Sequence, residues 1–101
     1  MPKQIILTPE AREDTRSAYL WYEAQNPGLG EDFLGQLDSI LSEIADHPTR
    51  YPVRFDAFRR ILIHRFPYAV YFDYDDSAVH IYYVFHCSQN PERLAERLRK
   101  Y

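Results

Sequence analysis

The spacing of apolar residues changes once along this 101-residue chain, between Pro48 and Pro52, and this change constrains the fold more than any other feature. Before it, apolar side chains recur every three or four residues, and after it they tend to alternate. The first spacing lines one face of a helix and the second lines one face of a strand. Since this length suits one domain, we expect residues 1–101 to form a single unit of helices packed on a sheet.

Two amphipathic helices are predicted before Pro48. Thr8 precedes Pro9 and Glu10, an order typical of a helix start, because Thr accepts from early backbone N–H groups and Pro suits the first turn. The first helix carries one apolar stripe, formed by Ala11, Thr15, Ala18 and Tyr22. The second carries a wider stripe, formed by Phe33, Leu34, Leu37, Ile40, Leu41 and Ile44. Helix breakers at residues 26–30 separate the two, so we expect an antiparallel helical hairpin.

Alternating and aromatic segments predict the sheet. A first strand is expected at residues 4–8, and three consecutive antiparallel strands at residues 60–66, 68–74 and 78–86. Asn90-Pro91-Glu92 begins a short, basic last helix. The predicted fold is therefore α+β, with an N-terminal strand, a helical hairpin on one face of an antiparallel sheet of about four strands, and a short C-terminal helix.

Composition and charge narrow the classes of function. Cys87 is the one cysteine, so no internal disulfide forms, and neither a leader-type apolar region nor a membrane-spanning run is present. We therefore expect a cytoplasmic protein. Residues 9–47 hold nine acidic side chains and two arginines, whereas residues 48–66 hold five arginines and Asp56. The basic strip is either a contact surface for an anionic partner or a means of keeping exposed strand edges in solution.

Six arginines are the candidates for binding a target or a partner protein: Arg54, Arg59, Arg60, Arg65, Arg93 and Arg97. On a regular strand, Arg59 and Arg65 lie an even number of residues apart, so they would point to one face and Arg60 to the other.

His86 is the one candidate for proton transfer, because the pKa of a histidine lies near working pH. The alternative is a hydrogen-bonded structural residue at a strand end. Cys87 follows it directly and would point to the opposite face, so a Cys–His nucleophile is disfavoured. The four histidines lack metal-ligand spacing, and the chain has no glycine-rich phosphate loop. No metal and no cofactor are predicted.

Aspartates and aromatic residues outside these sets have structural explanations. Asp73, Asp75 and Asp76 flank a predicted turn, where aspartate bonds to nearby backbone. Near the end of the first helix, Tyr22 lies on the inward stripe, which favours core packing over base stacking.

Short motifs along nearly the whole chain occur in an order typical of one family. They are Trp21-Tyr22, Pro27-Gly28-Leu29-Gly30, Phe33, Tyr51-Pro52, Arg59-Arg60, Arg65-Phe66-Pro67-Tyr68, Val84-Phe85-His86, Asn90-Pro91 and Arg97. In these motifs the chain resembles the ParE/RelE-type toxins. The resemblance implies the toxin of a type II toxin–antitoxin (plasmid stabilisation) module, a small cytoplasmic protein neutralised by a co-encoded antitoxin that lies across the hairpin and the sheet. ParE-like members inhibit DNA gyrase, and RelE-like members cut mRNA on the ribosome.

One departure from the family pattern favours binding over chemistry. Many relatives carry bases directly after the histidine of the last strand, whereas this chain has the uncharged run Cys87-Ser88-Gln89. An mRNA nuclease needs cations there to hold RNA and stabilise the scissile phosphate. We therefore favour a ParE-like inhibitor of DNA gyrase or a related topoisomerase. The alternatives are a RelE-like endonuclease using Arg59, Arg65 and His86, and an inactive remnant that binds only the antitoxin.

Overall fold

The computed structural model describes residues 2–55 and 57–88, together with Arg93 and Glu96. Its elements in chain order are strand β1 (Gln4–Leu7), helix α1 (Pro9–Gln25), helix α2 (Leu29–Asp46), a 3₁₀ turn (Pro48–Arg50), and strands β2 (Val53–Phe55), β3 (Phe58–Leu62), β4 (Tyr68–Tyr74) and β5 (Ala78–His86).

The helical hairpin forms as predicted. The Ala11 N–H donates to the Thr8 side chain at 3.1 Å, so Thr8 caps α1. Gly28 takes a left-handed conformation with φ of 91°, and this residue turns the chain into α2. The predicted stripes of both helices face the core, with these side chains buried: Ala11, Ala18, Tyr22, Phe33, Leu37, Ile40 and Ile44.

The sheet has five strands in the order β1-β5-β4-β3-β2. The strand count differs slightly from the prediction, because Val53–Phe55 forms a short edge strand on β3. β1 runs parallel to β5, and the other neighbours are antiparallel. Since the helical hairpin connects β1 to the rest of the sheet, the N-terminal strand reaches a parallel position beside the last strand.

The predicted strand at residues 60–66 is shifted in the structure. β3 begins at Phe58 and ends at Leu62, and Arg65 lies in the following turn with a φ of 73°. Pro67 has no backbone N–H to continue a ladder, and the turn closes through the Ile63 N–H, which donates to the Tyr68 carbonyl at 2.9 Å.

Both faces of the sheet bury apolar side chains. The face toward the helices buries Val70, Phe72, Val79, Ile81 and Val84. The opposite face buries Phe58, Ala69, Tyr71, Tyr83 and Phe85. A register shift between Tyr71 and Phe72 makes room for Tyr82, which packs on the same side as Tyr83.

The predicted C-terminal helix falls almost wholly outside the described residues, and so does Arg97. Arg93 and Glu96 are helical and exposed. None of the helices in the described ranges is both long and apolar enough to cross a membrane.

Candidate functional site

A cleft of about 510 Å³ lies where α1 crosses the ends of β4 and β5. We call it the α1 cleft. Its lining includes Asp14, Ser17, Trp21, Pro67, Tyr68 and His86. Its volume is in the range of pockets that hold a ligand or a partner side chain.

Asp14 holds the helix against the strand at the base of this cleft. Its Oδ2 accepts a hydrogen bond from the Val84 backbone N–H at 3.1 Å. The pKa of the Tyr68 hydroxyl is raised, first by burial, then by Tyr22 and then by the Asp14 carboxylate. The Asp14 carboxylate and the Tyr68 ring therefore both lie in the lining of the α1 cleft.

Aromatic rings form the walls of the α1 cleft. Tyr22 is buried, as predicted, and packs against Phe66 with ring centroids 4.9 Å apart and against Tyr68 at 6.2 Å. Trp21 is 58% exposed and stands edge-on to Tyr22 at 5.1 Å. The indole is thus held in place on one side and open to a partner on the other.

His86 lies at the open end of β5, on the wall opposite α1. Its ring is 5.0 Å from the Tyr68 ring in an edge-on arrangement. The Ser88 backbone N–H points to Nδ1 at 3.0 Å, and the Ser88 hydroxyl lies 2.7 Å from the same nitrogen. Because a backbone N–H only donates, Nδ1 is the acceptor and the neutral ring carries its proton on Nε2. His86 is thus hydrogen-bonded to Ser88, two residues further along the chain.

Cys87 follows the end of β5 and is exposed. Its backbone N–H donates to the Pro67 carbonyl at 2.7 Å, which joins the end of β5 to the turn before β4.

The candidate arginines have different environments. Arg59 is half-buried, donates from Nη1 to the Tyr51 carbonyl and lies 5.3 Å from the centroid of the Tyr74 ring. Arg54 and Arg65 are exposed, and Arg60 is half-buried.

The prediction that Arg59 and Arg65 share a strand face is wrong. Arg65 lies in the turn after β3, so the alternation of strand side chains ends before it. Its guanidinium lies 5.7 Å from the centroid of the Phe66 ring.

The structure separates Arg59 from His86. Arg59 pairs with Phe72, and Phe72 pairs with Ile81, five residues before His86. At about 3.3 Å per residue this places Arg59 and His86 about 16 Å apart along the strands, with β4 between them. Arg65 is at the same end of the sheet as His86, since Tyr68 pairs with His86.

A second polar cluster lies near the turn between β4 and β5. The Tyr82 hydroxyl donates to both carboxylate oxygens of Asp73 at 3.0 Å. Burial, and then Asp73, raise the pKa of Tyr82 to about 12.

The turn itself is organised by Asp75, as predicted for aspartates at this place. Its Oδ1 accepts from the Ser77 and Ala78 N–H groups at 2.9 Å, and His80 Nε2 lies 3.0 Å from its Oδ2. The bond to His80, and then those to Ser77 and Ala78, hold the pKa of Asp75 well below its usual range. Within residues 2–55 and 57–88, no three His, Cys, Asp or Glu side chains are grouped to hold a metal ion.

Asp14 and Ser17 were not predicted to line a site, and Pro67 was singled out only as part of a family motif. Asp14, Ser17 and Trp21 are spaced by three and four residues, so they form a second stripe on α1 beside the apolar one. That spacing was the available signal, but it does not tell which element the stripe faces.

Comparisons with known proteins agree on one family. A family model described as the ParE toxin of the type II toxin–antitoxin system, parDE, matches residues 5–91. Among solved structures, a chain of the chromosomal ParDE toxin–antitoxin system from P. aeruginosa is similar, with a TM-score of 0.73 and 14% sequence identity. The match covers 83% of this chain and 95% of that chain, and at this identity it shows the fold. No curated protein sequence gives a significant match.

Proposed function

The chain belongs to the ParE toxin family of type II toxin–antitoxin systems, and from this we propose that it is a cytoplasmic toxin that inhibits DNA gyrase or a related topoisomerase. It acts by binding its target and not by cutting a nucleic acid. A co-encoded antitoxin neutralises it by lying across the hairpin and the sheet. Such neutralisation needs an interface of at least roughly 1,000 Å² in total.

The separation of Arg59 from His86 is the observation that favours binding of the target over cleavage of RNA. Transfer of a phosphoryl group needs a cation and a proton-transfer group within hydrogen-bond reach of one phosphate. Arg59 is about 16 Å from His86 along the strands, at about 3.3 Å per residue. The Nδ1 atom of His86 already accepts a hydrogen bond from the Ser88 backbone N–H. These contacts favour a toxin without nuclease chemistry, because only Arg65 of the two arginines named for cleavage lies at the His86 end of the sheet.

Exposed arginines are the proposed contacts to the target and the antitoxin. Arg54, Arg65 and Arg93 are exposed, and Arg60 is half-buried on β3. We include Arg97 on the family resemblance alone. Arginine suits this role because its guanidinium binds carboxylates and phosphates through two parallel hydrogen bonds.

Expression of the chain without its antitoxin tests the proposal. We expect growth arrest with an induced DNA-damage response, intact cellular mRNA by primer extension, and inhibition of supercoiling by purified gyrase. Arg65→Gln removes one exposed charge of the basic strip and should weaken the arrest. Arg16→Gln, on the exposed side of α1 beside Glu13, is the matched control and should not.

Two results would overturn the proposal. Cleavage of mRNA within codons would identify the chain as a RelE-like endonuclease. A folded protein that binds its antitoxin yet leaves growth unchanged would identify it as an inactive remnant.

A further inference from the structure

We propose that two copies of this chain associate through their β1 strands, which pair antiparallel about Ile6 and join the two sheets into one. Self-association of this kind does not depend on which target the toxin inhibits.

The outer side of β1 presents open backbone groups. The Gln4 and Thr8 N–H groups donate to the neighbouring β5 segment, so the two-residue period directs the N–H and C=O groups of Ile5 and Leu7 away from the sheet. Among the residues that the structure describes, only Arg12 reaches these groups, through Nε at 3.5 Å from the Leu7 carbonyl. Such an edge is a template for pairing with another strand.

The opposite edge of the sheet is less suited to pairing. β2 has three residues, and its register on β3 shifts between Val53 and Phe55. An irregularity of this kind twists a strand edge away from a partner. β1 pairs with β5 without a register shift, so the regular edge of the sheet is the one at β1.

The backbone groups of β1 are complementary to those of a second β1. Antiparallel pairing about Ile6 places Ile5 opposite Leu7 of the second copy, and each such pair exchanges two N–H···O=C bonds. The ladder then ends where neither copy can extend it. The Lys3 N–H already donates to the Ala45 carbonyl at 3.0 Å, and Pro9, which would lie opposite Lys3, has no N–H.

The side chain at the centre of this pairing is apolar and accessible. Ile5 and Leu7 pack against the core under the helices, whereas Ile6 is 40% exposed on the other face of β1. In the proposed register Ile6 lies directly opposite Ile6 of the second copy. The contact removes apolar surface of both side chains from water.

Charged side chains beside β1 fit the same arrangement. A groove of about 580 Å³ lies between β1 and α2, and its lining includes Ile5, Asp38 and Asp46. Within the described residues, no ion pair is formed by either aspartate or by Arg12. Because Arg12 lies beside Leu7, and Leu7 of the second copy lies opposite Ile5, each Arg12 is brought to the acidic groove of the other copy. Two-fold symmetry provides this contact twice.

The short seam sets the expected affinity. Each copy contributes four strand residues and one groove, which places the interface at the low end of specific interfaces, at roughly 1,200 Å² or less in total. We expect a dissociation constant of about 10–100 µM by sedimentation equilibrium of the full chain. Added salt should weaken the dimer, because it screens the exposed ion pairs.

Disulfide cross-linking of the full chain, with oxidised glutathione as the oxidant, tests the register. The variants carry Cys87→Ser, so that the exposed native thiol does not react. Ile6→Cys places two thiols across the symmetry axis with Cα atoms about 4.5 Å apart, within the range of a disulfide. Gln4→Cys is the matched control on the same exposed face, because its two copies would lie four residues apart, or about 14 Å. We expect Ile6→Cys to cross-link at least about tenfold faster.

Charge variants in the Ile6→Cys background test the groove. Arg12→Glu should slow cross-linking about fivefold or more, because the acidic groove then meets a like charge. Arg16→Glu makes the same change one helical turn further along α1, where Arg16 lies 3.7 Å from Glu13, and should leave the rate unchanged. Combining Arg12→Glu with Asp38→Arg should restore cross-linking, because the charges are exchanged between the two sides.

Amide hydrogen exchange of the unaltered chain keeps the test decisive if a cysteine variant does not fold. Exchange at Ile5 and Leu7 should slow as the protein concentration rises, whereas the Gln4 and Ile6 amides, which face β5, should not respond.

Three results would overturn the inference. One is equal cross-linking of Ile6→Cys and Gln4→Cys, and another is an equal effect of Arg12→Glu and Arg16→Glu. The third is a chain that stays monomeric at about 500 µM, well above the expected dissociation constant. In that last case, any strand that pairs with β1 would have to come from a different protein.

Discussion

Gly30 and Gly35 lie five residues apart on α2, yet their surroundings differ. A Cβ atom on Gly30 would lie 2.7 Å from the Tyr19 carbonyl oxygen and 2.8 Å from the Tyr19 ring, whereas one on Gly35 would have nothing within 4 Å. Gly30 therefore marks a close approach of α2 to α1. The Glu23 carboxylate supports the same contact, because it accepts from the Gly28 and Gly30 N–H groups at 2.8 and 2.9 Å.

Alanine at these two positions should change stability in opposite directions. We expect Gly30→Ala to lower the free energy of unfolding by about 1–3 kcal/mol, since the backbone of α1 must move. Gly35→Ala should raise it by about 0.5–1 kcal/mol, because alanine in an exposed helix interior costs less chain entropy. Urea denaturation followed by circular dichroism measures both. If both variants change the free energy of unfolding equally, a Cβ atom at Gly30 does not force the backbone of α1 to move.

After burial, the hydrogen bond to Asp73 is the largest cause of the raised pKa of Tyr82. The pKa of Tyr82 is raised to about 12 from its usual 10, so the stability it provides is complete below pH 10 and is lost as the pH rises through 12. Asp73→Asn should lower the pKa of Tyr82 and reduce this loss of stability at alkaline pH. Carbon-13 NMR of the tyrosine ring follows the titration directly.

Asp76→Asn is the matched control, because Asp76 is exposed in the same turn and carries the same charge. If both variants lower the pKa of Tyr82 equally, the cause is the general field of the turn and not the hydrogen bond from Tyr82 to Asp73.

Sequence predicts residue-level contacts only where both partners are close along the chain. The Thr8 cap and the Asp75 turn join residues two or three positions apart, and both follow from local residue preferences. The contact from Asp14 to Val84 spans 70 positions. It depends on how α1 docks on β5, which no local pattern specifies.

At the scale of elements, the turn between β3 and β4 departs most from the sequence prediction. The arginines at 59 and 60 interrupt the alternation, so the pattern did not reveal that β3 begins at Phe58. The short strand β2 was missed because three residues after Pro52 carry too little periodic signal. The two helices of the hairpin, with longer and cleaner stripes, were predicted correctly.

Arg65 should limit the stability of this turn. Its φ of 73° is unfavourable for a side chain with a Cβ, by roughly 1–2 kcal/mol. We expect Arg65→Gly to raise the free energy of unfolding by up to about 1 kcal/mol, because relief of strain exceeds the added chain entropy. Thermal denaturation measures the change.

The same replacement within β3, Arg60→Gly, should be destabilising, because glycine weakens a strand interior. A lower free energy of unfolding in Arg65→Gly would show that the positive φ of Arg65 does not strain the turn. A gain in stability together with weaker toxicity would indicate that the strain is retained for function.

At the scale of the whole molecule, the parallel pairing of β1 with β5 holds the hairpin to the sheet. The Gln4 and Thr8 N–H groups donate to the Ser77 and Ile81 carbonyls, so the two-residue period directs the Ile6 N–H toward β5 as well. The sequence indicated an N-terminal strand and helices on one sheet face. It did not indicate the neighbour of β1, because strand order depends on contacts distant in the chain.

Proline at Ile6 should therefore destabilise the entire domain. Ile6→Pro removes one bond of the parallel ladder and should cost about 3 kcal/mol or more, a large share of the roughly 5–15 kcal/mol typical of one domain. Ile6→Ala changes the same 40% exposed side chain without removing the N–H and should cost less than about 1 kcal/mol. Guanidinium denaturation of both variants separates the contribution of the backbone hydrogen bond from that of the Ile6 side chain.

The same parallel pairing bears on when the protein acquires its shape during synthesis. β1 emerges early from the ribosome, but the residues that pair with it, from Ala78 to Ile81, are translated more than 70 positions later. The nascent hairpin must therefore wait with its apolar stripe uncovered until β5 has left the exit tunnel. Docking of α1 on β5, and with it the α1 cleft, can form only after β5 has left the exit tunnel.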